Sequence, residues 1–171
     1  MQKKATAVAR GVLASAVGTL AMDLFLYRRY RREGGQSSFA NWESSAGLTS
    51  WDDAPAPALV SKRLIERALR RELPPTHVRA LNNLTHWSYG MAAGAPYGLL
   101  GAFRPTKLRY GVPFGAGVWA GGYAVLPALR VYRPIWEYDL ETLLRDLRAH
   151  LVFGVATAGT YRALAAGKAG S

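Results

Sequence analysis

The chain has 171 residues, enough for one domain with a buried core, and no cysteine, which excludes disulfides and thiolate metal sites. Half of its residues are hydrophobic and 19% are charged, against about 25% charged in an average soluble domain. The net charge of +11 sits on Lys and Arg clustered beside long apolar segments; that placement suits anionic lipid headgroups and argues against nucleic acid as a partner.

Mean hydropathy is only −0.02, so each membrane span has to be argued separately. The first, about residues 5–27, is long enough to cross a hydrocarbon core that takes about 20 residues. Arg10 near one end can snorkel, and Asp23 lies within about a turn of the other. The cluster "RRYRR" follows: Arg28, Arg29, Arg31 and Arg32 around Tyr30. A secretory signal is the rival reading, given Lys3, Lys4 and "ASA" at 14–16. The longer apolar run, its Asp and the arginines after it favour a retained helix.

Residues 33–57 read as a Gly-, Ser- and Pro-rich loop in which Trp42 and Trp51 suit the headgroup level. Residues 58–73 read as an amphipathic helix, with Val60, Leu64, Ile65, Ala68, Leu69 and Leu73 on one side. Lys62, Arg63, Arg67, Arg70 and Arg71 make the other side basic, the pattern of a helix lying in an anionic interface and equally of a solvated helix packed on its own protein. Asp52 and Asp53 favour its start and Pro74–Pro75 its end. Further spans are expected over about 78–103, 110–132 and 147–164, the segment Arg133–Asp146 passing from loop into the foot of the last helix. The expected fold is an all-α membrane bundle of four transmembrane helices with one interfacial helix, in a single domain.

Glycine spacing supports packed helices. Gly90, Gly94 and Gly98 recur every four residues, as do Gly111 and Gly115, then Gly117 and Gly121. Such stripes let helix backbones approach closely in lipid, within one chain or between copies in a homo-oligomer; in water each would cost about 1 kcal/mol relative to alanine.

Four spans divide the rest of the chain between a short-loop side and a long-loop side. The long-loop side holds fourteen of the 22 Lys and Arg, which favours its lying in the cytoplasm. The short-loop side, however, is purely basic, and the first long loop approaches the length at which the positive-inside rule weakens. The two arguments oppose each other, and the orientation stays open.

Asp23, Asn82, His86 and His150 all fall within about 5–12 Å of the long-loop end, at 1.5 Å of rise per residue. Polar groups inside a membrane turn toward the bundle interior and find partners there. A shared polar cluster is therefore expected, with Asp23 as the acid, His86 and His150 as bases or ligands, and Glu137 and Asp139 at its entrance. Such a cluster suits interhelical hydrogen bonding, a proton or ion pathway, or a divalent metal. No H-E-x-x-H spacing is present, so no metal or other cofactor is assigned. No G-x-S-x-G and no dinucleotide fingerprint occurs. The function expected is that of a non-enzymatic binding or structural membrane component, with a small transporter or proton pathway as the alternative.

With "THWSYG", "WAGGYAVLPALRVYRPIWEYD" and "LRAHLVFG" in that order, about residues 80–160 resemble the YagU-like bacterial inner-membrane proteins, a family of small multi-span proteins with a domain of unknown function. The resemblance implies a multi-pass location in the bacterial inner membrane and long loops facing the periplasm. It implies no catalytic residues.

Overall fold

A computed structural model describes residues 2–103 and 106–167, and every regular element in them is helical. Four long helices, α1 (Gln2–Arg32), α4 (Val78–Phe103), α5 (Gly111–Ala128) and α6 (Leu140–Ala166), carry the fold, with the short α2 (Phe39–Glu43) and α3 (Ala56–Leu69) between α1 and α4. Local chemistry sets the ends. Asp139 caps α6, one carboxylate oxygen accepting the Thr142 N–H at 2.8 Å. Pro74 precedes, and Pro75 begins, the turn that leads into α4.

Some boundaries differ from those the sequence suggests. The amphipathic helix ends at Leu69 rather than residue 73, because Arg70 takes a left-handed conformation (φ 53°) and turns the chain back. The Leu73 N–H then reaches the Glu66 carboxylate and its carbonyl reaches the Trp51 indole. Asp52 and Asp53 do not cap α3, whose N-cap is Pro55. Helix α5 stops at Ala128, and Arg130 (φ 55°) begins the turn. Helix α6 opens at Leu140, so the acidic foot is already helical.

Helix α1 packs along both α4 and α6, and α5 packs on α6. The buried face of α1 is Ala7, Gly11, Ala14, Ser15, Gly18, Thr19 and Asp23, small residues at heptad-like spacing. A methyl group at Gly94 would overlap the Gly11 carbonyl, one at Gly98 the Ala7 carbonyl, and one at Gly90 the Thr19 hydroxyl. Gly111 and Gly115 likewise lie against the α6 backbone at Gly154 and His150. Gly117 and Gly121 instead face open space.

The distribution of size is inverted. No leucine or isoleucine among the described residues is buried. Leu13, Val17, Leu84, Leu100, Phe103, Val112, Val125 and Leu164 face outward, Leu100 being 66% exposed. The larger buried groups are mostly aromatic: Tyr97 meets Phe114 at 4.7 Å and Tyr161 at 5.6 Å between ring centres, while Tyr123 packs separately on Trp119, Tyr132 and Tyr138. Of the helices among the described residues, only α1 is long and apolar enough to cross a membrane. Polar residues in the first half of α4 and the foot of α6, and the glycines and prolines among the 18 residues of α5, lower the mean hydropathy of those three helices.

Candidate functional site

The polar half of α4 has a specific task. Its side chains receive the turn that follows α2. Arg79 donates to the Ser44 carbonyl (Nε, 2.8 Å) and hydroxyl (Nη2, 3.2 Å). Asn83 donates to the same carbonyl at 2.9 Å, and Asn82 to the Ser45 hydroxyl at 2.8 Å. The turn is tight, with Ser45 at φ 51°. From the other side, Phe39 and Trp42 of α2 pack on Tyr27 of α1, with ring centres 5.2 and 5.6 Å from it.

This docking delivers Glu43 to the interior, one residue before the clamped turn. One turn beyond Asn82 and Asn83, Trp87 donates its indole N–H to the Glu43 carboxylate at 3.0 Å. His86 Nε2 lies 3.1 and 3.0 Å from the two oxygens of Asp23. Ligand atoms of Asp23, Glu43 and His86 all lie within 4.8 Å of one another. Asp23 is 2% exposed, while Glu43 and His86 are half-buried. Burial, and then the neighbouring Asp23 carboxylate, pushes the Glu43 carboxyl above its usual range.

Behind this cluster a cleft of about 400 Å³ opens between α4 and α5. The two helices meet at the Tyr97–Phe114 knot near the short-loop end. Nearer the long-loop end the cleft has Thr85, His86 and Tyr89 on its α4 wall and Val118, Trp119, Gly121 and Gly122 on its α5 wall. Thr19 of α1 and His150 and Phe153 of α6 also line it, and α3 reaches it through Ala56, Pro57 and Val60. The Trp119 indole N–H is buried with no hydrogen-bond partner among the described residues. Helix α3 is fixed over α4 by a hydrogen bond between the Ser61 and Thr85 hydroxyls, and Arg63 donates to the Leu129 carbonyl at 2.8 Å.

The residues singled out in the sequence therefore divide. Asp23 and His86 are in contact. His150 shares the cleft with His86, but its Nδ1 is hydrogen-bonded to the Asp146 carbonyl at 2.8 Å. Asn82 serves the Ser45 clamp, and Glu137 is exposed and outside the cluster. On α3 the inward stripe is Ala58, Ser61, Lys62, Ile65 and Glu66, while Leu64 and Leu69 point outward with Arg63, Arg67, Arg70 and Arg71. That differs from the expected apolar side, because the small and polar residues are the ones that fit against α4. Arg28 is exposed beside the half-buried Arg29, which pairs with Glu33 at 2.8 Å. Sequence reasoning missed Glu43; the available signal was a single acid between an aromatic pair and two serines, in a loop without periodicity. Compared with protein-family models, curated proteins and solved structures, the chain matches none.

Proposed function

We propose that this chain is a non-enzymatic, multi-span integral membrane protein that holds an anionic phospholipid in the cleft between α4 and α5. The observation that carries the reading is the inverted distribution of size: small residues between the helices and leucines, valines and phenylalanines around them. Leaving such side chains in water forgoes about 1.5–3 kcal/mol each; in hydrocarbon nothing is lost, and close backbone packing holds the helices together. On this reading α1, α4, α5 and α6 are the four spans, α3 lies in the interface, and the bacterial inner membrane implied by the YagU-like resemblance is the location.

The cleft has the attributes of a site for an acyl chain. Its volume falls within the range of about 300–1,000 Å³ typical of ligand sites, and its walls are apolar with a few polar groups. The glycines on α5 leave its wall open. Helix α3, which lines the cleft through Ala56, Pro57 and Val60, carries exposed arginines together with exposed Leu64 and Leu69 on its other side, a mixture that suits an anionic lipid surface.

The test uses carbonate-washed membranes, followed by native mass spectrometry of the full chain released from phosphatidylglycerol-containing nanodiscs. The protein should remain in the carbonate pellet and retain one phospholipid. Gly121→Leu, which fills the cleft where a side chain meets no neighbour, should lose the lipid and keep the fold. Carbonate release, or equal retention by Gly121→Leu, would overturn the reading.

A further inference from the structure

Asp23, Glu43 and His86 come from three separate helices, and each is positioned by its own neighbours. Asp23 is fixed in the α1–α4–α6 packing, His86 is held on α4, and Glu43 is set by the Trp87 indole and the clamped Ser44–Ser45 turn. No basic side chain of the fold other than His86 serves the two acids: among the described residues no Lys or Arg forms an ion pair with Asp23 or Glu43, and the only ion-pair partner of either is His86. Two acids and an imidazole thus converge on one place with no Lys or Arg among them, which leaves room for a metal cation between them.

Spacing and donor type suit such a cation. Ions bound through imidazole nitrogen and carboxylate oxygen at about 2.0–2.2 Å hold neighbouring ligand atoms about 3–3.5 Å apart. The His86–Asp23 separations are 3.0 and 3.1 Å, and the Glu43 oxygen falls inside the same 4.8 Å circle. One nitrogen and two carboxylates match a borderline divalent transition ion better than Ca²⁺ or Mg²⁺, which take oxygen ligands alone. The side chains of His86 and Asp23 are 26% and 4% exposed, so the site opens on the His86 side, where water can complete the shell.

We infer that Asp23, Glu43 and His86 form a binding site for one divalent transition-metal ion of the Zn²⁺ class, which fastens the loop carrying α2 to α1 and α4. The inference does not depend on the lipid cleft.

The experiment uses the full-length chain, purified in mild detergent with a tag free of histidine and stripped with chelator. ZnCl₂ is titrated by calorimetry, and tryptophan fluorescence is followed in parallel. One Zn²⁺ should bind per chain and raise the thermal midpoint. Glu43→Gln and His86→Gln, both at half-buried positions, should each weaken binding at least tenfold and abolish the thermal shift. Trp87→Phe should remove the fluorescence response while one Zn²⁺ still binds. His150→Gln should bind Zn²⁺ as the natural chain does. Absence of stoichiometric binding, affinity unchanged in both ligand variants, or equal loss in His150→Gln would overturn the inference.

Discussion

Gly11 on α1 and Gly94 on α4 face each other so closely that a methyl group on either would meet the backbone of the other. The contact lies within the most extensive helix pairing of the fold and is made by backbone, which cannot yield as a flexible side chain can. Overpacking usually costs about 1–3 kcal/mol and more where the backbone must shift. Gly94→Val should therefore lower the thermal midpoint strongly and reduce yield. Gly117→Ala, where nothing lies nearby, should leave stability unchanged or slightly raised. Thermal unfolding of the two variants in the same detergent checks the contrast.

Asn83 donates both to the Ser44 carbonyl and to the Arg79 carbonyl. Removing it with alanine should cost about 0.5–1.5 kcal/mol per hydrogen bond lost. The effect should be local: faster amide exchange over residues 39–46 with α4 and α6 unchanged. Hydrogen–deuterium exchange read by mass spectrometry distinguishes this from general destabilisation.

The Glu66 carboxylate accepts from the Lys62 ammonium at 2.8 Å and from the Leu73 N–H at 2.7 Å, and these bonds hold it below its ordinary value. A carboxyl lowered by folding adds stability above its unfolded pKa, near 4.5, and loses that contribution as the pH falls through the folded value. Acidification below about pH 4.5 should thus loosen the fold-back after α3. Glu66→Gln should be less stable near neutrality and show a flatter dependence below about pH 4.5, measured as thermal midpoint against pH.

Arg70 adopts the left-handed conformation at the end of α3, where glycine is the unstrained residue. Arg70→Gly should raise the thermal midpoint, since it relieves about 1–2 kcal/mol of left-handed strain, partly offset by the greater freedom of glycine in the unfolded chain. It also removes one of the basic groups beside Leu64 and Leu69, so binding to phosphatidylglycerol vesicles should weaken. Gain in midpoint together with loss in flotation would mean that this strain is kept for the surface it serves.

Long-range geometry marks the limit of what could be read from the chain. The bounds expected for a helix over 78–103 coincide with those of α4, because Pro74–Pro75 and a continuous helical pattern mark them locally. The stripe Gly90, Gly94 and Gly98 is visible at four-residue spacing, but Gly11 and Gly18, seven apart, are found only by also scanning at the heptad. Asp23 and His86 were both conspicuous as polar groups in apolar surroundings. Glu43 was not, since it reaches them only after α2 docks on Tyr27 and the turn is caught by Arg79, Asn82 and Asn83. The four-residue repeat of Gly117 and Gly121 looks the same in sequence as that of Gly94 and Gly98, yet one pair faces space and the other backbone. Periodicity identifies a face and leaves its partner undetermined.

Asp23 is the only acid in α1, and its imidazole partner lies 63 residues further along the chain. During synthesis the first helix must therefore leave the ribosome with that carboxylate unanswered, through all of α2, α3 and the start of α4. On the membrane reading, the arginines at 28–32 secure that end at the surface during the interval. Substitution of His86 would then be felt early, as poorer insertion and faster turnover of nascent chains. On the same reading, α1 is fully settled in the bilayer only after α4 has followed it.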